Sequence, residues 1–409
     1  MDADNLVGKD NWTKKHHAVV CNIARGILYP FARLKYHAKM ERFKEQGDRQ
    51  YLILYNHQTA YDQFFVGMIF KGPLYYLATE DLFSNGLTSW LIKKLVAPIP
   101  IKKQMADISA IRNCMQVVKE GGTLVIAPEG NRTYTGRTVY INPSIGGLAK
   151  KLGLPIALVR IEGGYGVDPR WAGARRKGKM HVYVSRVIEP EEIETLSKEE
   201  LYQEIKTGLW QDDAAQQGTY KSKKRAEYIE RAIYACPRCR ALGKLESRDE
   251  LIYCTGCGLR AEYTEKLEIV GQNYDLPFRT AAGWIDWQND VVNGMNPMKH
   301  TEKPLFCDIV QLFEEIVYKK KILRRKSAAV ALYGDRITVD EGGPDEMVFP
   351  FSETRGVTVL NRHTVNVYFG DKVWQMQGDE RFNALKYVNF YYRYQNWRQG
   401  DNNGEFLGH

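Results

Sequence analysis

The 409-residue chain has few cysteines, no long apolar run and no excess of acidic residues. Seven cysteines are too few for a disulfide-rich scaffold, and four of them fall within residues 236–257. No stretch approaches the roughly 18 uninterrupted apolar residues that a membrane-spanning helix needs. The first residues also lack the basic, apolar and cleavage regions of a secretory signal. We therefore expect a protein of the reducing cytosol that does not cross a bilayer.

The composition is that of a globular protein, with 44% hydrophobic and 26% charged residues, and this excludes a disordered tail. The length predicts two or three domains. The 58 basic and 49 acidic residues give a net charge of +9. Such a charge favours anionic partners, which include phosphorylated small molecules, phospholipid head groups and nucleic acid. Charge alone does not choose among these partners.

Short apolar runs alternate with helical stretches between residues 50 and 190, and this pattern predicts an α/β domain with a mostly parallel central sheet. The predicted strands are 51–55, 74–78, 123–127, 155–161 and 180–188. Beyond residue 325, alternating β-type runs precede one helical stretch, an order that resembles a pleckstrin-homology-like barrel. The predicted organisation is an amphipathic helical segment (1–49), the α/β domain (50–230), a cysteine module (231–272), a linker (273–325) and a β-rich domain (326–400).

Residues 11–40 read as an amphipathic helix that Pro30 should kink or split. Its apolar residues lie within about 80° of one another, at 100° per residue, and basic residues lie on the other side. The apolar residues are Val20, Ile23, Ile27, Phe31 and Leu34, and the basic residues are Lys14, Lys15, Arg25, Arg33 and Lys39. Two interpretations stay open, because the same pattern suits a helix lying on an anionic membrane surface and a helix packed on its own domain.

His57 and Asp62 follow the first predicted strand of the α/β domain, and Asp62 starts an apolar helical run. On a regular helix the two side chains would point about 140° apart, so they can meet only across a strand-to-helix turn. There the carboxylate would fix the tautomer of the imidazole and support it as a proton acceptor. The spacing alone is weak, since one such pair is close to the chance expectation in a chain of this length. The alternative is a structural histidine at a strand end.

Two more loops contribute polar residues to the same predicted sheet edge. Glu129 and Arg132 follow the strand at 123–127, and Gly130 between them permits a tight backbone path. Lys102 and Lys103 follow two prolines that enforce an extended backbone. One base, one carboxylate and three cations would form a site for a phosphorylated alcohol. The alternative for Glu129 and Arg132 is a structural ion pair.

Four motifs in this order and spacing resemble the four blocks of the glycerolipid acyltransferases that acylate lysophosphatidic acid. They are NHQTAYD (56–62), IPIKK (99–103), APEGNRT (127–133) and LPIALVRI (154–161), and the resemblance covers about residues 15–215. It implies that His57 is the general base on the acceptor hydroxyl, which attacks an acyl thioester of coenzyme A or acyl carrier protein. It also implies that Asp62 orients His57.

By the same resemblance, Glu129, Gly130 and Arg132 belong to the acceptor site, and Arg132 contacts phosphate. Lys102 and Lys103 are placed in the same substrate-binding site. Lys103 stands where the family usually has an arginine, and Lys102 where an acidic residue is common. A lysine lacks the planar guanidinium that binds phosphate through two parallel hydrogen bonds.

CPRC and CTGC form two C-x-x-C knuckles separated by 14 residues, a spacing typical of four-cysteine structural zinc sites. The predicted ligands are Cys236, Cys239, Cys254 and Cys257, and the module resembles a zinc ribbon. Four thiolates leave tetrahedral zinc no open position, so the metal is expected to be structural. A pair of disulfides is the alternative. Only the basic charge and the ribbon support binding of nucleic acid, and such a function would leave the four motifs unexplained. We therefore expect the ribbon to support neighbouring structure or to dock a protein partner.

The sequence thus predicts a cytoplasmic, peripherally membrane-associated acyltransferase. It would transfer a fatty acyl group to a lysophospholipid, first among them 1-acylglycerol 3-phosphate, to give phosphatidic acid. The same chemistry on glycerol 3-phosphate or another lysolipid is one alternative. A non-catalytic lipid-binding adaptor with a zinc ribbon is the other.

Overall fold

The structure is a computed structural model that describes residues 11–83, 87–101, 108–216, 218–315, 321–401, 404 and 406–408. The chain divides into two compact units that alternate along it. The first unit comprises Met1–Gly130, Ile141–Glu162 and Met180–Gln211. The second comprises Asn131–Tyr140, Gly163–Lys179 and Asp212–His409.

The first unit is a seven-stranded sheet with helices between its strands, as predicted for a mostly parallel α/β domain. Its strands are β1 (Ala38–Met40), β2 (Leu52–Tyr55), β3 (Leu74–Thr79), β4 (Ile99–Ile101), β5 (Thr123–Ile126), β6 (Ile156–Glu162) and β7 (Met180–Ile188). Its helices are α1 (Lys15–Tyr36), α2 (Asp62–Ile69), α3 (Leu87–Val96), α4 (Ile108–Lys119), α5 (Ser144–Leu152), α7 (Pro190–Thr195) and α8 (Lys198–Leu209), with the one-turn helix α6 (Gly164–Val167) in the second unit.

The strand order is β1-β7-β6-β2-β5-β3-β4. The five strands β6, β2, β5, β3 and β4 run parallel to one another. Strand β7 pairs antiparallel with β6, and β1 pairs parallel with β7 at the edge of the sheet. The inner strands β2 and β5 are buried at every position. Their continuous apolar sequences suit strands covered on both faces. Short β1 and β4 escaped the strand prediction because three residues carry too little pattern.

Local sequence signals set the helix ends. Helix α8 begins with a capping box, in which the Glu200 N–H donates to Ser197 Oγ and the Ser197 N–H donates to the Glu200 carboxylate. Helix α5 closes on Gly153, whose φ of 62° is the left-handed conformation that glycine favours at this position. Helix α1 continues through Pro30 as one segment. The helix is therefore not split at Pro30, where the sequence predicted a kink or a split.

The second unit holds two antiparallel sheets. The smaller one contains β8 (Leu245–Arg248), β9 (Leu251–Cys254), β10 (Arg260–Tyr263) and β11 (Ile269–Gly271) in the order β11-β10-β9-β8. The larger one contains β12 (Phe306–Glu315), β13 (Ile322–Leu332), β14 (Arg336–Val339), β15 (Met347–Pro350), β16 (Thr354–Leu360), β17 (Thr364–Phe369) and β18 (Lys372–Gln377). Its order is β15-β14-β13-β12-β18-β17-β16, and it forms a β-rich, nearly barrel-shaped region.

Two helices accompany these sheets, α9 (Ala281–Asn293) and α10 (Leu385–Arg398). The order of strands followed by a closing helix agrees with the prediction, while the pleckstrin-homology-like identity stays a prediction. Helix α9 and strand β12 lie within 273–325, where the sequence suggested a linker. The β12 pattern is obscured because Asp308 and Glu314 lie on its more buried side, while Ile309 on the other side is 63% exposed.

In the part of the chain that the structure describes, no helix has the length and apolarity to span a bilayer.

Candidate active site

Asp62 is a buried side chain with several hydrogen-bond partners in the motif that follows β2. It lies in the first turn of α2, is completely buried, and its two carboxylate oxygens accept hydrogen bonds from the turn that precedes it. Oδ2 accepts from the backbone N–H of Gln58 at 2.6 Å and of Thr59 at 2.8 Å, and Oδ1 accepts from Thr59 Oγ1 at 2.6 Å. An acidic residue also suits the positive end of the helix dipole. These contacts fix the carboxylate before it meets the histidine.

His57 lies in the turn between β2 and α2, and its Nδ1 is 2.8 Å from Asp62 Oδ2. The strand-to-helix turn therefore brings the predicted pair together. A carboxylate partner assigns the hydrogen to Nδ1, so that Nε2 is the nitrogen that can accept a proton. The His57 side chain is 20% exposed, whereas that of Asp62 is wholly buried. The imidazole thus has one side towards solvent and the other held by a fixed acceptor.

Glu129 and Gly130 lie in the loop after β5. The Glu129 side chain is buried, and its Oε1 accepts a hydrogen bond from the backbone N–H of His57 at 2.6 Å. Gly130 has a φ of +65° and closes a turn by donating its N–H to the Ala127 carbonyl at 3.0 Å. A side chain at this φ would be strained. The Glu129 carboxylate thus contacts the main chain of His57.

Asn56 was missed by the motif interpretation, although it is fully buried directly before His57. Its Nδ2 donates to the Ile161 carbonyl at 2.9 Å, and its Oδ1 accepts from the Ile161 N–H at 2.7 Å. This two-point contact locks the end of β2 to β6. The available signal was a polar residue directly after a buried strand, which needs a partner because an unpaired buried amide is costly.

Of the three predicted cations, only Arg132 lies within the described residues. Arg132 belongs to the Asn131–Tyr140 segment of the second unit. Its Nη1 is buried and lacks a hydrogen-bond partner within the described ranges. Burial, together with the nearby cation Arg170, lowers the pKa of Arg132 to about 10. The side chain therefore stays charged at neutral pH. Lys102 and Lys103 lie outside the described residues.

The cysteine module brings four sulfur atoms into one cluster. The Sγ atoms of Cys236, Cys239, Cys254 and Cys257 all lie within 4.8 Å of one another. The Sγ atoms of Cys236 and Cys257 are 3.7 Å apart, and those of Cys239 and Cys254 are 3.8 Å apart. Tetrahedral zinc with Zn–S bonds of about 2.3 Å requires about 3.8 Å between sulfurs, so the cluster fits this ion.

The two knuckles adopt the same turn. The Arg240 N–H donates to the Cys236 carbonyl, and the Gly258 N–H donates to the Cys254 carbonyl, each at 2.9 Å. Arg240 and Gly258 both have positive φ values, 59° and 73°. This repeated turn directs the cysteine side chains of each knuckle to one point. Together with the four-stranded β8–β11 sheet, it makes the module zinc-ribbon-like.

A family model described as Acyltransferase matches residues 34–162. The chloroplastic 1-acyl-sn-glycerol-3-phosphate acyltransferase BAT2 of Brassica napus is 22% identical over 184 residues, which cover 44% of this chain and 52% of that protein. The chloroplastic 1-acyl-sn-glycerol-3-phosphate acyltransferase LPAT1 of Arabidopsis thaliana is 21% identical over 197 residues, covering 46% and 53%. The chain thus spans about half the length of the curated relatives it matches. Residues 34–162 thus form an acyltransferase-type domain, and the chain is similar to glycerolipid acyltransferases over that part of its length.

Among solved structures, the chain is similar to the 1-acyl-sn-glycerophosphate (LPA) acyltransferase PlsC of Thermotoga maritima. The TM-score is 0.41 at 21% identity, and the alignment covers 50% of this chain and 82% of that one.

Proposed function

We propose that this protein transfers a fatty acyl group from a thioester to the free hydroxyl of a lysophospholipid, with His57 as the general base. The observation that carries the proposal is the 2.8 Å contact between His57 Nδ1 and a fully buried Asp62, itself fixed by three further donors. A histidine so oriented is equipped to take a proton from a hydroxyl. The acyltransferase domain supplies the class of reaction.

In the proposed step, Nε2 of His57 removes the proton of the acceptor hydroxyl while the hydroxyl oxygen attacks the carbonyl carbon of the thioester. A new C–O bond forms and the C–S bond breaks. The imidazolium then returns the proton to the departing thiolate, which leaves as the free thiol. Asp62 holds the hydrogen on Nδ1 throughout and stabilises the transient positive charge. Base catalysis of this kind is typically worth about 10²- to 10⁴-fold in rate.

The proposed acceptor is 1-acylglycerol 3-phosphate, which would become phosphatidic acid, and the proposed donor is acyl-CoA or acyl-carrier protein. Arg132 supports the phosphate assignment, because its guanidinium is charged and its buried Nη1 has no partner in the described part of the chain. The names of the two plant relatives specify the same acceptor. Glu129 and Gly130 would shape the acceptor loop, and Lys102 and Lys103 would add positive charge beside it.

We propose that the enzyme docks on anionic membranes through helix α1. Ile23, Ile27 and Leu34 are 59%, 68% and 75% exposed, so much of the predicted apolar face is not packed against protein. Trp90 and Leu91 of helix α3 are also exposed. These features support the interfacial interpretation of the helix, because exposed apolar side chains beside basic ones suit the membrane interface.

For the cysteine cluster we propose a structural zinc ion. Cys236, Cys239, Cys254 and Cys257 would hold the ion as thiolates, with no position open for substrate. When bound, zinc would supply the cross-link that a module of about 40 residues lacks in core burial. Its outer surface would support neighbouring elements or bind a protein partner.

An acceptor assay with a matched histidine variant tests the catalytic proposal. Purified protein with a long-chain acyl-CoA should acylate lysophosphatidic acid, and His57→Ala should lower kcat by about 10²- to 10⁴-fold. The control is His300→Ala, which removes a histidine outside the motifs and should leave kcat unchanged. Glycerol 3-phosphate and other lysolipids, offered in the same assay, decide the acceptor. Equal activity of the wild type and His57→Ala, or no turnover of any acceptor, would favour the non-catalytic adaptor.

A further inference from the structure

The cations Arg170 and Arg362 lie near Arg132, and the nearby carboxylate that opposes their effect is already paired with Arg362. Asp168, the carboxylate that opposes the lowering of its pKa, accepts a hydrogen bond from Arg362 Nη2 at 2.8 Å. Arg170 and Arg362 both act in the other direction and lower the pKa of Arg132, although burial remains the main cause. The local charge in this part of the second unit is therefore positive. An anionic ligand would relieve it, and in the proposed function that ligand is the acceptor phosphate.

Arg170 is the side chain that holds the main chain of Arg132 in place. It is 4% exposed, and each of its three nitrogens donates to a backbone carbonyl. Nη1 donates to the Arg132 carbonyl at 3.1 Å, Nη2 to the Val359 carbonyl at 3.1 Å, and Nε to the Asn361 carbonyl at 3.2 Å. These donations tie the Arg132 loop to the end of β16 and the turn that follows it.

The same guanidinium also packs on the loop it holds. Its central carbon lies 4.6 Å from the centre of the Tyr134 ring, two residues beyond Arg132. A planar guanidinium can stack on a ring while its three separate nitrogens each donate to a different carbonyl, whereas a lysine ammonium carries all its donors on one nitrogen. The geometry is therefore specific to arginine at position 170.

The segment that carries Arg170 is itself anchored on both sides. From the turn after β16, Arg362 donates to the carboxylate of Asp168 and to the Ala172 carbonyl. Arg231, at the end of the one-turn 3₁₀ helix Ile229–Arg231, donates from Nη1 to the Trp171 carbonyl at 2.9 Å. Residues 168–172 are thus fixed to the β-rich region and to the start of the cysteine module.

We propose that Arg170 is a positioning residue for phosphate binding, and that the β-rich region supports the acceptor loop through it. Arg170 does not contact the phosphate in this proposal; it keeps Arg132 in the orientation that does. The inference rests on the proposed function for the identity of the ligand. It gives the β-rich region a role in acceptor affinity.

The test compares Arg170→Lys with Arg176→Lys. Arg176 is an equally buried arginine nearby in the chain that donates to the Arg225 carbonyl and packs between the Trp171 and Tyr263 rings, so it reports a general loss of packing. Calorimetry measures binding of glycerol 3-phosphate, and steady-state kinetics measures KM and kcat for lysophosphatidic acid and for monoacylglycerol, which has no phosphate. Melting temperatures are recorded for every variant.

Arg170→Lys should weaken glycerol 3-phosphate binding and raise the KM for lysophosphatidic acid about tenfold, the size of one charge-assisted hydrogen bond. The KM for monoacylglycerol and the kcat should change by less than about twofold, since neither depends on the phosphate contact. Arg176→Lys should lower the melting temperature without changing the ratio of the two KM values. If Arg170→Lys does not fold, Arg362→Lys releases Asp168 and Ala172 and should change the ratio in the same direction.

The outcomes separate the two proposals. Wild-type affinity in both Arg170→Lys and Arg362→Lys, or an equal rise in both KM values, would overturn the positioning role while leaving acyl transfer intact. Phosphate binding that depends on Arg170 in a protein without acyltransferase activity would overturn the proposed reaction alone. Absence of both binding and turnover in the wild type would overturn both.

Discussion

At the scale of single residues, Asp62 is central to the site although it would not touch the substrate itself. The carboxylate accepts hydrogen bonds from Gln58, Thr59 and His57, and it is buried completely. An asparagine in its place would have one acceptor oxygen for these donors and would direct an NH₂ group at one of them. This mismatch would release the tautomer of His57, since Nδ1 would lose its carboxylate.

Asp62→Asn should therefore lower kcat by up to about 10⁴-fold, the loss that replacing the orienting aspartate causes in a Ser-His-Asp enzyme. The KM for the acyl donor should stay within about twofold. Unchanged kcat in a folded Asp62→Asn enzyme would contradict the assigned role of this residue.

The sequence predicted some contacts of the candidate site and not others. Pairing of His57 with Asp62 followed from the turn that must separate a strand from a helix. The backbone contact of Glu129 with His57, and the two-point contact of Asn56 with Ile161, join residues 72 and 105 positions apart. No local pattern reports such contacts, because they depend on which strands become neighbours in the sheet.

At the scale of elements, the hydrophobic periodicity of helix α1 predicted that the helix forms but not which of its residues are buried. The pattern predicted the helix, and it separated apolar from basic residues. It did not show that His17, Ala32 and Tyr36 would be the buried residues, or that Arg25 would donate to the carbonyls of Gly67 and Phe70. The packed side of α1 is therefore built partly from polar residues, and this leaves its apolar side exposed.

Ile27→Glu should weaken binding to vesicles of phosphatidylcholine and phosphatidylserine about tenfold, because one buried isoleucine contributes about 1.5–3 kcal/mol. The matched control is Asn22→Glu, which adds the same charge at an exposed polar position of the same helix. Co-sedimentation with vesicles measures both variants, and wild-type binding should fall at high salt and without the anionic lipid. Equal weakening by both substitutions would point to charge alone and would contradict insertion of the apolar side.

At the scale of the whole molecule, the cysteine module is built into the second unit. Residues between the first unit and the first knuckle contact several later elements: Tyr234 Oη donates to Asn389, Tyr228 Oη donates to Glu380, and Arg381 pairs with Glu230. The spacing of the cysteines predicted the cluster. These contacts were not predictable, since the residues that make them carry no motif.

Elemental analysis should find about one zinc per chain, and Cys254→Ser should lose it. The same variant should lower the free energy of unfolding by several kcal/mol, because metal binding contributes directly to folding in modules of this size. Cys307→Ser, which removes an exposed cysteine of β12, should keep both the zinc and the stability. A stable, zinc-free wild-type protein would contradict the structural role.

The alternation of the two units along the chain sets an order of events during synthesis. Segments Asn131–Tyr140 and Gly163–Lys179 leave the ribosome well before Asp212–His409, with which they form one compact unit. Val359 and Asn361, which accept the hydrogen bonds of Arg170, are translated about 190 residues after it. The loop that carries Arg132 can therefore reach its final form only after nearly the whole polypeptide has been made. A nascent chain stalled before residue 360 would hold the His57 turn without a finished Arg132 loop.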